Sequence, residues 1–207
     1  TSDILARVDA PVHVAHAFTT HELNTEVDFF TVVDDLARED ETGAAHANDM
    51  ELGAGIFYGY VVVDVPLLVS NLTGCPREEW RSQETQDART VLTALIQAIS
   101  QVTPGAKLGA TAPYARAEFV MLETGTTQPR SLANAFLRPV RLGAGEQHPM
   151  EQSVAAIARY LDGLERMYGD TGEERWVSTL HTWNRSREAV VPLAEATDAS
   201  LDALFGR

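Results

Sequence analysis

The run Ile56-Phe57-Tyr58-Gly59-Tyr60-Val61-Val62-Val63-Asp64-Val65 constrains the fold more than any other stretch of the chain. Nearly every residue in it is apolar, aromatic or β-branched, the composition of a strand enclosed within a sheet. Pro66 follows and reads as its end. Such a strand needs neighbours, and two β-prone segments precede it. Residues 11–20 mix Val12, Val14 and Ala17-Phe18 with His13, His16 and Thr19-Thr20, and helix formers are scarce there. Asp28-Phe29-Phe30-Thr31-Val32-Val33 is a second, shorter run. Between it and the strong strand, residues 36–49 are acidic, carry Gly43-Ala44-Ala45 and Asn48-Asp49, and read as a long exposed loop.

Helical periodicity takes over downstream. In residues 84–102, Ala88, Val91, Leu92, Leu95, Ile99 and Val102 recur at steps of three and four, which predicts one buried stripe. Pro104-Gly105 stops that helix. Residues 118–122 are β-prone again, and a turn through Gly125 and Pro129 leads to a less defined segment at 132–137. A second helix is predicted over 150–168, with Val154, Ile157, Leu161, Leu164 and Tyr168 facing inward and Pro149 as its first residue. A third, short helix is predicted over 198–205. Interleaved strands and helices of this kind make an α+β domain around a mostly antiparallel sheet, with an acidic excursion over 23–55.

Charge argues against a simple nucleic-acid binder. The formal net charge is −14, and affinity for phosphate normally comes from Lys and Arg displacing counterions. The distribution is uneven, however. Ten acids from Glu22 to Glu51 face Arg38 alone, whereas Lys107, Arg116, Arg130, Arg138, Arg141, Arg159, Arg166, Arg175, Arg185, Arg187 and Arg207 all follow Pro104. A local basic face is compatible with that arrangement. Cys75 is the one cysteine, so no internal disulfide can form, which favours a reducing, cytoplasmic setting. No apolar run approaches the ~20 residues that span a bilayer, and the N-terminus lacks the basic-then-apolar pattern of a secretory signal. It also lacks an initiator Met, as expected of a fragment or a trimmed product.

Candidate chemistry is sparse. His13, His16 and His21 invite a metal reading, but on a strand His13 and His21 share one face and His16 the other, and no further ligand follows at a useful spacing. Histidines lining a half-buried strand are the plainer account. Asp28, Asp34 and Asp35 are the carboxylates available for magnesium, set against a stretch acidic throughout, where carboxylates ordinarily face water. Phe29-Phe30 offers more. Adjacent aromatics on a strand point to opposite faces, so a projecting hairpin would expose at least one as a stacking or wedging group. The alternative is burial of both rings. Lys107, the only lysine, lies just past a helix end, where the helix dipole alone favours it. There is no glycine-rich phosphate cradle, no nucleophile elbow and no Cys/His cluster, so no enzyme is visible, and no cofactor or metal is expected.

The strings Val14-Ala15-His16-Ala17-Phe18-Thr19-Thr20-His21 and Asp28-Phe29-Phe30-Thr31-Val32-Val33-Asp34-Asp35-Leu36 resemble the backbone (CasC) subunit of the type I-E CRISPR Cascade complex. Gly43-Ala44-Ala45-His46 and Gly55-Ile56-Phe57-Tyr58-Gly59-Tyr60 continue the likeness in order, as do Thr103-Pro104-Gly105-Ala106-Lys107 and Leu132-Ala133-Asn134-Ala135-Phe136. The likeness is dense over 9–60, patchy to Val140 and faint beyond.

The resemblance implies an RRM-like (ferredoxin-like) palm, incomplete here, with a protruding thumb insertion. Its parts would be a palm strand over 1–22, the thumb over 23–55 and the remaining palm with packing helices over 56–207. It implies a non-enzymatic subunit that binds guide RNA (crRNA) in a filament of copies of itself with other Cascade subunits. The thumb would displace nucleotides so that the guide can pair with target DNA. Phe29, Phe30 and Thr31 would form its working surface, with His46 on the returning arm. Lys107 and Arg116 are the palm-side candidates, and Arg138 and Arg141 those for target DNA. Members carry roughly half their length ahead of the Thr19-Thr20-His21 strand, including much of the basic surface. The expectation is therefore that this acidic chain does not bind RNA tightly by itself. A metal-dependent, RNA-cleaving backbone subunit using the thumb-region aspartates is the competing reading.

Overall fold

A computed structural model describes residues 8–23, 25–32, 46–103, 112, 114–143 and 148–206, with the backbone alone over 26–32 and 46–52. Lys107, Asp34, Asp35 and the Gly43-Ala44-Ala45 string lie outside the described residues.

Residues 11–20 lie antiparallel to the strong apolar run, as a broken ribbon. β1 (Val12–Val14) pairs with β6 (Val61–Val63), and β2 (Phe18–Thr19) pairs with β5 (Phe57–Tyr58). Between the ladders, single bonds keep the ribbon together: Ala15 N–H donates to the Tyr60 carbonyl at 2.9 Å, and Thr20 N–H to the Ile56 carbonyl at 2.9 Å. Beyond that point the ribbon becomes a hairpin of β3 (Thr25–Val32) and β4 (His46–Gly53). Residues 46–49, expected in a loop, are thus strand. Among the described residues the strands form four two-stranded antiparallel ladders rather than one sheet.

The strong apolar run also ends differently from its reading. Val65 opens helix α1 (Val65–Thr73), and Pro66 begins a helix instead of merely ending a strand. Asp64 caps it, its Oδ1 accepting from Leu67 N–H at 3.0 Å, which satisfies one of the orphan donors of the first turn. Proline in that first turn removes no needed donor. Gly74 stops the helix at φ +74°, the left-handed conformation that residues with a Cβ avoid.

Helix α2 (Gln86–Gln101) and helix α3 (Pro149–Tyr168) sit where apolar spacing predicts them, and α4 (Leu193–Phe205) starts earlier than expected. The predicted stripes rotate in part. On α2, Ala88 and Leu92 are buried while Val91 and Ile99, with Val102 just past the helix end, are exposed. On α3, Val154, Ile157 and Leu161 are buried as expected, but Tyr168 at the helix end is exposed. Residues 133–136 form a single 3-10 turn. Strand β7 (Phe119–Thr124) pairs with β8 (Glu174–Thr179), a strand without a clear sequence signal.

Two apolar cores hold these elements. One joins α1, α2 and α4 through Val65, Leu68, Val69, Ala88, Leu92 and Leu201. The other sets α3 beneath β2, β5 and β7, with Leu132, Phe136, Ile157 and Leu161 against Phe18, Tyr58, Phe119 and Trp183. Phe18, Tyr58 and Phe136 contact one another ring to ring, 5.4–6.2 Å between centroids. That cluster fixes the root of the hairpin on α3. Among the described residues, no helix is long and apolar enough to cross a membrane.

Candidate nucleic-acid interface

The hairpin stands apart from every other ladder: no third strand pairs with β3 or β4 among the described residues. Its register sets Phe29 opposite Asp49, Phe30 opposite Asn48, Thr31 opposite Ala47 and Val32 opposite His46. Four of the sequence candidates, Phe29, Phe30, Thr31 and His46, are therefore brought together in its outer half. Strand alternation puts Phe30 and His46 on one face of the ladder and Phe29 and Thr31 on the other. A two-stranded hairpin is marginal in water by itself, so an element of this kind gains stability from what it docks against.

The root is fixed by Thr20, His21 and Gly55, none of which was among the residues expected to contact nucleic acid. Thr20 is nearly enclosed, 3% exposed, and all its polar groups are used. Its N–H donates to Ile56, its carbonyl accepts from Val140 N–H at 2.9 Å, and its hydroxyl meets Ser153 Oγ at 2.9 Å. Ser153 already donates its one hydroxyl proton to the Pro149 carbonyl at 2.9 Å, so Thr20 is the donor in that pair. His21 is buried rather than half-exposed and shares no face with the exposed His13, because β1 ends at Val14. Gly55, beside it, leaves no room for a side chain. A Cβ there would lie 2.8 Å from Thr19 Cγ2 and 3.2 Å from the His21 ring. Gly55→Ala is accordingly expected to destabilise the chain by roughly 1–3 kcal/mol, read as a lower urea midpoint than that of Gly59→Ala, where a Cβ meets nothing within 4 Å.

The basic candidates divide. Val140 bridges to His21, so the exposed Arg138 and Arg141 flank the hairpin root within two residues of that bridge. Arg116 is exposed ahead of β7, whose partner is β8 and not the hairpin. Lys107 lies outside the described residues.

Four arginines that sequence counting adds to a basic face are instead locked among acids. Arg185 donates from Nε to Glu188 Oε2 at 3.0 Å and from Nη2 to Glu188 Oε1 at 3.0 Å, and Nη2 also reaches Glu165 Oε2 at 2.8 Å. Arg175 joins Glu165 at 2.5 Å and also binds Glu123. Arg130 pairs with Glu173 at 3.1 Å, and Arg187 with Asp170 at 2.6 Å. The side chains of Arg175 and Arg185 are 2% and 5% exposed. Burial pushes the Glu165 and Glu188 carboxyls up, yet hydrogen bonds from Arg185 reverse it, and both lie below their ordinary value. At Glu173 burial again raises the carboxyl, but hydrogen bonds from Thr127 and Thr171 and the Arg130 charge bring it down to about 2. This lattice joins β7, β8 and α3, and its arginines face carboxylates rather than a ligand.

For metal chemistry, the described residues contain no group of three or more His, Cys, Asp or Glu that could hold an ion. Asp28 lies in β3, opposite Met50, while Asp34 and Asp35 lie outside those residues.

A family model described as "CT1975-like protein" matches residues 1–207. Among solved structures, a chain of a "CRISPR RNA-guided surveillance complex" is similar at a TM-score of 0.76 and 29% identity, over 99% of this chain and 76% of that one. A chain of a "CRISPR RNA-guided surveillance complex, pre-nicking" is similar at 0.75 and 29% identity, over 95% of this chain. The present chain spans 56% of that second structure's chain. None of the curated proteins matches.

Proposed function

The chain belongs to the CT1975-like protein family, and on that premise we propose that it is a guide-RNA-binding backbone subunit of a CRISPR interference complex of the type I-E Cascade kind. The observation that carries this reading is the β3–β4 hairpin, which no third strand joins among the described residues. It gathers Phe29, Phe30, Thr31 and His46 in its outer half and is rooted beside Arg138 and Arg141, in a chain similar to chains of RNA-guided surveillance complexes.

In this proposal the hairpin is the thumb, within a 23–55 insertion, and the flanking segments 1–22 and 56–207 belong to an RRM-like palm. Copies of the subunit line up along one guide in the cytoplasm together with other subunits. Each thumb reaches over the RNA held by a neighbouring copy, where an aromatic ring takes the place of a stacked base. Base pairing with target DNA is left to the guide itself, and no bond-making step is assigned to the protein. Arg138 and Arg141 would meet phosphate. The −14 charge fits a protein that engages RNA through a few positioned groups and shared filament contacts, because long-range attraction to a phosphate backbone is weak for such a chain.

The test is chemical probing of the guide in the complex assembled in cells. Base–aromatic stacking is worth roughly 1–3 kcal/mol. The Phe29→Ala, Phe30→Ala double variant should therefore retain guide RNA while the nucleotides that displacement makes reactive lose most of their contrast with their neighbours. An unchanged pattern would remove the thumb from the proposal. The isolated 207-residue chain should not bind RNA at nanomolar concentration in physiological salt.

A further inference from the structure

We infer that His21 is a positioning residue that sets the aim of the hairpin over its RNA, an inference that rests on the reading of the hairpin as the guide-contacting element. The imidazole touches both feet of the hairpin at once. Its Nδ1 lies 2.7 Å from the carbonyl of Glu22, on the outgoing foot. Its Nε2 lies 3.1 Å from the amide nitrogen of Ile56, on the returning foot, 35 residues later. A carbonyl only accepts and an amide N–H only donates, so the tautomer that makes both bonds carries its hydrogen on Nδ1 and leaves Nε2 as the acceptor. One side chain thus ties the outgoing carbonyl to the returning amide.

The surroundings hold the ring in place. His21 is 6% exposed, and the missing Cβ of Gly55 leaves the space its Cε1 and Nε2 border. The backbone of His21 bridges to Val140, which places Arg138 and Arg141 in fixed relation to the same point. The clamp also sits at the end of a lever. Eight residues of strand reach about 27 Å at ~3.4 Å per residue, so a root rotation of about 10° would carry the tip about 5 Å. That exceeds the tolerance of a stacking contact. Neither apolar core includes His21, so loosening the clamp would change the hairpin's direction far more than the stability of the body.

The test compares His21→Ala, His21→Gln and His21→Asn in the full chain, within the complex assembled with its guide. A glutamine amide reaches the position of Nε2 and restores an acceptor for Ile56, whereas asparagine reaches only the position of Nδ1. The expected result for His21→Ala is amide exchange at Ile56 accelerated tenfold or more and a blurred reactivity pattern along the guide, with the thermal midpoint within a few degrees of wild type. Gln should restore both readouts and Asn neither. Faster exchange at Ile56 with an unaltered guide pattern would overturn the inference alone and leave the thumb reading standing. Equal behaviour of the Gln and Asn variants would also overturn it. A wild-type complex with no guide RNA would overturn the thumb reading, and the inference with it.

Discussion

Glu188→Ala is expected to destabilise the chain by about 3–5 kcal/mol, the range for removing one partner from a buried ion pair. The Glu188 side chain is 1% exposed. It accepts two bonds from Arg185, one at 3.3 Å from Trp183 Nε1, and lies 3.5 Å from Arg175 Nη1. Alanine would leave two guanidinium groups enclosed with one carboxylate fewer and would strand the indole N–H. The charge could not be relieved by deprotonation, since arginine stays charged throughout the accessible range. Burial opposes the charge of Arg185, but Glu188 and Glu165 hold its proton more tightly than usual. Glu188→Gln keeps an acceptor without the charge and should fall between wild type and Ala. Urea unfolding followed by tryptophan fluorescence reads the effect, Trp176 and Trp183 lying on and beside β8. A loss below about 1 kcal/mol for Glu188→Ala would mean the lattice is solvated like a surface ion pair.

Acid should unfold the same lattice. The carboxyls of Glu165, Glu173 and Glu188 lie below their ordinary values in the folded chain, that of Glu173 at about 2. The unfolded chain binds protons at these sites first, near the ordinary Glu value of about 4.3. Their contribution is therefore complete above that pH and is lost as pH falls from there toward the folded value. For Glu173, whose side chain is 6% exposed, the difference corresponds to roughly 3 kcal/mol. Calorimetry between pH 6 and pH 2.5 should show a midpoint that holds near pH 6 and then drops steeply below about 4.5. Glu173→Gln should start lower and fall less steeply. A midpoint constant down to pH 3 would sink the assignment.

These two expectations concern a region that sequence reading passed over, and the reason is physical. In β8 the inward positions are Arg175 and Val177, both buried. Alternation of apolar and polar residues marks a strand only when charge faces water, and here charge faces in. The opposite error arose at Val65: an apolar, β-branched run continued into it, and local composition could not show that Asp64 would cap a helix there. α2 and α3 were legible because a helix buried on one side repeats its apolar residues every three to four positions. Which flank of that stripe becomes covered depended on where neighbours ended, and Val91, Ile99 and Val102 were left outside.

For the candidate interface, the strings around Phe29, Phe30 and His46 pointed to a projecting element, and strand register then gathered those residues. Arg138 and Arg141 were legible as charge but not as neighbours of the hairpin root. His21 was visible only as one histidine among several, since both of its contacts are to the main chain and one comes from 35 residues away.

By itself the sequence determined the α+β class, the length and period of the two long helices, the acidic character of the excursion and the aromatic pair within it. Those properties follow from residues close together along the chain. Tertiary structure alone decided which charges are buried, which histidine is clamped and where the hairpin is rooted. Those outcomes depend on partners such as Thr20 and Ser153, 133 residues apart, and a local pattern carries no record of what the folded chain brings against it.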